Sequence, residues 1–208
     1  PRVLRRVGGY NIDALLGDAP NMGQLLIGSE GTLAITKSLD LKLSPTLTTK
    51  TLGVCHFPTF HAAMDAAQHI VKLNPVAVEL VDHNMIRLGR GIPQFKPIVD
   101  RFVKGEPAAL LLVEFAETNA ENRRRLSALG DLMAELGFRW GDPGKREGGV
   151  VEAEDPSFQA EIWGVRTQGL NIMMSMRSEG KPVSFVEDCA VPLEHLADFT
   201  TKLTDVFR

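Results

Sequence analysis

Apolar and polar positions change period along this 208-residue chain, and the change falls near residue 46. Before it, Ile12, Leu15 and Leu16 share one face of a short helix expected over 11–17, and 17–23 reads as a loop by composition. From 33 to 43 the apolar residues alternate, as Leu33, Ile35, Leu39, Leu41 and Leu43. That pattern predicts a strand ended by Ser44-Pro45. Residues 46–51 form a polar linker. Beyond it, strands are expected at 51–57, 76–81, 108–115, 138–140, 150–152 and 181–191.

Helices fill the gaps. The pattern over 59–73 places Phe60, Met64, Ala67 and Val71 on one side. Asp82 is a candidate N-cap for a helix through Leu88 that stops at Gly89. Thr118, with Glu121 three residues on, predicts a capping box for a helix reaching Leu136 and ended by Gly137. Asp155-Pro156 opens a long helix with a cap and a first-turn proline, and 192–208 reads as a last helix. The connections between strands are short or irregular. An antiparallel α+β fold is therefore expected, with helices on one face of a single sheet.

Composition narrows the classes. Hydrophobic residues make up 44% and charged residues 24%, which favours a packed core over disorder. A net charge of −3 gives no case for nucleic-acid binding, and Arg123-Arg124-Arg125 reads as a solvated helix face. No apolar run is long enough to span a membrane, and no signal-peptide pattern is present. Cys55 and Cys189 sit in apolar strand patterns without a Cys-x-x-Cys, which argues for packed thiols and against an iron–sulfur or zinc site in these residues. His61 and His69 are eight apart, too far for an i, i+4 metal pair, so metal ligands are expected at none of the histidines.

The chemistry-bearing candidates are few. Gly28-Ser29-Glu30-Gly31-Thr32-Leu33 reads as a tight turn whose N–H groups could meet a phosphate, or as an ordinary turn. On the helix after Asp155, Phe158, Ile162, Val165 and Ile172 form one stripe. Gln159, Trp163, Arg166, Leu170 and Met173 form its neighbour. Arg166 thus lies among apolar residues, where an unpaired guanidinium is costly. Either an internal carboxylate satisfies it, with Glu187 or Asp188 as candidates, or a substrate carboxylate does, since the guanidinium fork matches one bidentately. Gly164 and Gly169 in the same helix mark either a close approach or simple tolerance.

The ordered set of motifs resembles the FAD-linked oxidases and dehydrogenases of the vanillyl-alcohol-oxidase type. Gly9-Tyr10-Asn11, the Gly28–Leu33 turn, Trp163-Gly164-Val165-Arg166 and Phe185 to Pro192 stand in that family's order. The subgroup most similar is the large D-2-hydroxyacid dehydrogenases with a fused iron–sulfur module. The resemblance implies that 1–45 are the C-terminal remnant of an FAD-binding domain. Residues 51–208 would then be a ferredoxin-like substrate (cap) domain truncated at its C-terminal end. It implies FAD contacts at Tyr10, Gly28, Ser29, Glu30, Gly31 and Thr32, and substrate contacts at Arg166 and Trp163. The catalytic base and the metal-binding histidines would fall outside this chain, as would any iron–sulfur module. The implied activity is oxidation of a small D-2-hydroxyacid of the lactate, glycolate or 2-hydroxyglutarate class, in a protein that is cytoplasmic or peripheral to the inner membrane. Val186 stands where the 2-hydroxyglutarate enzymes carry a lysine, which counts against that substrate. The competing reading is a non-catalytic ferredoxin-like interaction module, for which the Gly28 turn and the Trp163/Arg166 pair would have no use.

Overall fold

The computed structural model describes residues 9–16, 19–47, 49–139, 149–174 and 189–207. The chain falls into two compact units, Pro1–Thr46 and Leu47–Arg208.

The first unit has little regular structure. The helix expected over 11–17 is a single 3-10 turn at Ile12–Leu15. A short helix α1, Met22–Leu26, starts at the end of the loop expected over 17–23 and runs past it. Its N-cap Asn21 accepts from the Gln24 N–H at 3.3 Å. The strand expected over 33–43 is not formed; the backbone of 34–47 is irregular. A strand is stable only when paired with neighbours over an apolar face, and here Ile35 is 97% and Leu43 85% exposed.

The second unit holds a four-stranded antiparallel sheet. Strand β1, Thr51–Phe57, leads into helix α2, Phe60–Ile70, followed by a 3-10 turn to Leu73. Strand β2, Ala77–Asp82, is followed by α3, His83–Gly91, and α4, Lys96–Phe102. Then come β3, Ala109–Phe115, α5, Asn119–Glu135, and β4, Val150–Ala153. Helices α6, Pro156–Thr167, and α7, Gly169–Met174, follow, and α8, Leu196–Val206, comes last. The sheet order is β2-β3-β1-β4, every pair antiparallel. That is the ferredoxin-like arrangement, with β1 and β3 central.

Helices cover both faces, not one. On the first face, Cys55, Phe57, Leu111 and Val113 pack against Met64 and Ile70 of α2, Leu129 and Met133 of α5, and Ala197 of α8. On the second, Leu52, Val54, Leu110 and Leu112 pack against Ile86 of α3, Phe102 of α4 and Ile162 and Val165 of α6. This double coverage is why β3 reads as an apolar run from Ala109 to Val113, since a strand buried on both faces has little polar side to show. Helix α4 escaped the sequence reading. Lys96-Pro97 opens it, and two turns carry too few residues to show a clear period.

Other differences have local causes. The buried face of α2 runs through Ala63, Met64, Ala67 and Ile70, while Phe60 and Val71 at its ends are over a third exposed. At α5 the capping box is half made. Thr118 Oγ1 accepts from the Glu121 N–H at 3.3 Å, but the Glu121 carboxylate turns to Arg124 and Arg125 instead. Phe138 and Arg139 are not in a strand, and Trp140 lies outside the described residues; the Phe138 carbonyl accepts from the Gly149 N–H at 3.0 Å. The expected strand over 181–191 lies outside the described residues as far as 188, and 189–191 are not extended into a sheet. Cys55 is buried as expected, whereas Cys189 is exposed.

Candidate functional site

Two clusters hold the residues singled out in the sequence, one in each unit. In the first, Gly28 has φ +79°, Glu30 +51° and Gly31 +77°. The Thr32 N–H donates to the Ser29 carbonyl at 2.9 Å. Positive φ at both central residues is the pattern of a type I′ turn. Glycine takes it freely, but Glu30 is held there against the steric preference of a side-chain-bearing residue. Tyr10 joins the turn through its hydroxyl, 2.8 Å from Thr32 Oγ1, and Thr32 Oγ1 also donates to the Ser29 carbonyl. Asn11 Nδ2 bonds the carbonyls of Gln24 and Ile27, which ties the Gly-Tyr-Asn element to the segment leading into the turn. All six predicted residues, Tyr10 and Gly28 to Thr32, are therefore brought together. Ser29 is buried; the other five are exposed.

In the second unit the predicted residues lie on α6. Asp155 opens that helix by accepting from the N–H groups of Ser157 and Phe158, both at 3.2 Å. These bonds and that from the Ser157 hydroxyl hold its carboxyl below the usual aspartate range. Pro156 supplies a preset φ at the first helical position. The buried stripe of α6 is Gln159, Ile162 and Val165. Gln159 Nε2 bonds the carbonyls of Lys50, Ala153 and Glu154, pinning the helix start to the ends of β1 and β4.

Trp163 and Arg166 each meet an acid on the sheet. Trp163 Nε1 donates to Glu114 Oε2 at 3.0 Å, and Lys50 Nζ binds the other oxygen at 2.8 Å. Arg166 Nη2 donates to Glu79 Oε2 at 3.0 Å, with both side chains rather less than half exposed. Glu79 and Glu114 project from the same sheet face, because Ala77 pairs with Glu114 and Glu79 with Leu112. The partner expected for Arg166, Glu187 or Asp188, lies outside the described residues, and Glu79 takes one of its nitrogens. Its Nε is buried and finds no acceptor among the described residues. Neither acid was anticipated. The signal existed for Glu114, a lone carboxylate inside the run Leu110 to Phe115, where an unpaired charge would be costly.

The helix does not continue as one piece through Ile172. It breaks at Gln168, and α7 starts at Gly169. A Cβ at Gly169 would stand 3.1 Å from Met85 Cε, so that glycine reflects a close approach. At Gly164 a Cβ would meet nothing within 4 Å, which is simple tolerance. Of the basic run, Arg123 and Arg124 are solvated, but Arg125 is largely buried and bonds Glu121 and the Asn74 carbonyl. Among the described residues no cluster of three or more His, Cys, Asp or Glu side chains could hold a metal, and no helix is long and apolar enough to cross a membrane.

Sheet order and the two-sided core define an α+β domain with a four-stranded antiparallel sheet covered by helices. Residues 46–208 match the family of FAD linked oxidases, C-terminal domain, and the chain belongs to that family. It is 29% identical over 218 aligned positions to a D-2-hydroxyglutarate dehydrogenase of Haemophilus influenzae, covering 97% of this chain and 20% of that protein. It is 26% identical to a mitochondrial D-lactate dehydrogenase [cytochrome] of Arabidopsis thaliana, covering 88% and 29%. To a D-lactate dehydrogenase of Archaeoglobus fulgidus it is 31% identical over 59% of this chain and 28% of that protein. The chain thus spans about a fifth of the length of the first of these relatives. For FAD, the cofactor of this family, the first unit offers suitable chemistry: hydroxyls from Tyr10 and Thr32 on an exposed turn of positive φ, where backbone N–H groups can approach a phosphate.

Proposed function

We propose that these residues belong to a longer flavoprotein that oxidises a D-2-hydroxyacid, with 1–45 the tail of its FAD-binding domain and 51–208 its substrate domain. FAD, when bound, supplies the acceptor for the hydride leaving C2 of the substrate. The chain's own part is to hold the partners. Tyr10, Gly28, Ser29, Glu30, Gly31 and Thr32 contact the flavin nucleotide. Arg166 fixes the substrate carboxylate and Trp163 walls the same site. No residue of this chain is assigned as the base that takes the hydroxyl proton.

The observation that carries this reading is the state of Arg166. One nitrogen is spent on Glu79, while the buried Nε has no acceptor among the described residues. A buried donor left without an acceptor is uncommon, and Arg90 Nε is the other one among the described residues. A substrate carboxylate supplies the missing acceptor. The relatives' names, D-2-hydroxyglutarate and D-lactate dehydrogenase, support the same substrate class. The interaction-module reading loses ground, because residues 46–208 match the C-terminal domain of the FAD linked oxidases.

An iron–sulfur module, where the longer protein has one, needs cysteines other than buried Cys55 and exposed Cys189. We place the protein in the cytoplasm or at the inner-membrane surface. The test is kinetic. In the full-length protein Arg166→Lys keeps the charge and loses the fork, and kcat/KM for the 2-hydroxyacid should fall by roughly 1–3 kcal/mol, the scale of a charge-assisted hydrogen bond. An unchanged kcat/KM in both Arg166→Lys and Arg166→Ala would make Arg166 a structural partner of Glu79 and nothing more.

A further inference from the structure

Helix α6 is seated on the sheet through a polar stripe. Gln159, Trp163 and Arg166 follow one another at i, i+4 and i+7 and so share a face. Each ends on a hydrogen bond: Gln159 on backbone carbonyls, Trp163 on Glu114 and Arg166 on Glu79. Glu114 is the unusual member. It pairs with Leu52 of β1 and Ala77 of β2, on the sheet face that carries Leu110 and Leu112, and its side chain is only 7% exposed. A carboxylate there loses its water, and an apolar residue of similar volume would often serve stability as well. Its two oxygens have separate partners. Oε1 accepts from Lys50 Nζ at 2.8 Å and Oε2 from Trp163 Nε1 at 3.0 Å. An ammonium and an indole N–H can only donate, so both partners need an acceptor, and a carboxylate offers two.

Trp163 has a reason to need that bond. It is partly buried, packed on one side against the apolar layer under α6 and bordering on the other an open cleft of about 230 Å³ that Lys50, Glu114 and Gln159 also line. The χ2 torsion of an aromatic side chain is broad and roughly two-fold. Apolar contact therefore does not choose which edge of the indole faces the sheet, whereas the bond from Nε1 to Glu114 does. We infer that Glu114, with Lys50 balancing its charge, is a positioning residue for the substrate site: it fixes the indole of Trp163 and acts on the substrate through that ring. The inference rests on the function proposed above, in which Trp163 walls the site, and adds a residue to it.

The experiment uses the full-length FAD-loaded protein, with D-lactate and D-2-hydroxyglutarate as substrates and a redox dye as electron acceptor. Lys50→Met with Glu114→Leu removes both charges together and leaves Trp163 without its acceptor. The melting temperature should stay close to that of the wild type, since an ion pair replaced whole by apolar residues is often neutral. KM should nevertheless rise about 3- to 10-fold, the loss of one hydrogen bond, with kcat changed less than about twofold. Lys50→Met with Glu114→Gln carries the same charge but returns a carbonyl to the indole, and should bring KM back to within about twofold of the wild type. Trp163→Phe removes the donor instead; its KM should rise by a similar factor, and adding Lys50→Met with Glu114→Leu should raise it little further. This arm stands where the leucine variant folds poorly, through the glutamine one, which should leave the KM of Trp163→Phe unchanged. An unchanged KM in the folded leucine variant, no recovery with glutamine, or effects that multiply in full with Trp163→Phe overturn the inference and leave the proposed function intact. No turnover of either acid by the wild-type protein overturns the function, and the inference falls with it.

Discussion

His56 shows how strongly one residue can be fixed by what surrounds it. It lies on β1 with no exposed surface. Its Nε2 accepts the Lys104 N–H at 3.1 Å, and its Nδ1 lies 3.0 Å from the Val54 carbonyl, so the neutral ring with the proton on Nδ1 satisfies both. A second proton would point at an N–H donor. Burial, with the nearby Lys104 charge adding to it, pushes the imidazole down to about 4, against bonds to Val54, Phe102 and Gly149 that raise it. The folded form therefore resists a proton that the unfolded chain takes up below about 6.5. The sign follows: between those values the unfolded state binds more protons, so this contribution is complete above pH 6.5 and is lost as pH falls toward 4. It reaches on the order of 3 kcal/mol across the window, at up to about 1.4 kcal/mol per pH unit. Urea denaturation of wild type and His56→Gln at pH 7, 6 and 5 should show a steeper loss for wild type. Parallel slopes would mean that His56 titrates normally in the folded state.

At the scale of elements, capping signals survived best. Asp82, Thr118 and Asp155 each accept from backbone N–H groups at the helix starts read from the sequence. A cap is a local bond between residues two or three apart, and so it is legible locally. What lay beyond reach was tertiary. The alternation over 33–43 is the pattern of a strand, but a strand also requires a partner, and the described residues of the first unit supply none. That helices α3, α4 and α6 form a second layer was legible only in retrospect, through the apolar run from Ala109 to Val113 of β3. The Arg166 partner was sought on the following strand, which lies outside the described residues; among the described residues its partner is Glu79 on β2, eighty-seven residues back. Asp155 permits a direct test of the helix that carries the site. Removing its cap in Asp155→Ala should cost about 1 kcal/mol, within the 0.5–2 kcal/mol range of such changes, with Asp155→Asn retaining most of it. Thermal unfolding of the three proteins measures this; equal stability of all three would mean that Pro156 and the Gln159 bonds hold the helix start unaided.

For the whole molecule, the two units differ in what they bury. Leu47–Arg208 encloses a sheet between two apolar layers, whereas in Pro1–Thr46 the large side chains of Ile12, Leu16, Met22, Ile27, Ile35, Leu39, Leu41 and Leu43 are all more than half exposed. Exposed apolar side chains are ordinary when scattered, but a run of alternating ones on irregular backbone has little to hold it in place. Segments with few buried contacts open locally at low free energy and are cut first. Limited proteolysis of the 208-residue chain should therefore cleave first within 33–47 and leave a resistant core beginning near Thr51. The same chain, carrying one turn proposed to face the flavin, should purify with far less than one FAD per molecule, while the full-length protein should be yellow. Absorbance near 450 nm against protein concentration gives the ratio. Full FAD occupancy in the 208-residue chain, or first cuts inside the sheet, would mean that the first unit is a folded cofactor site in its own right.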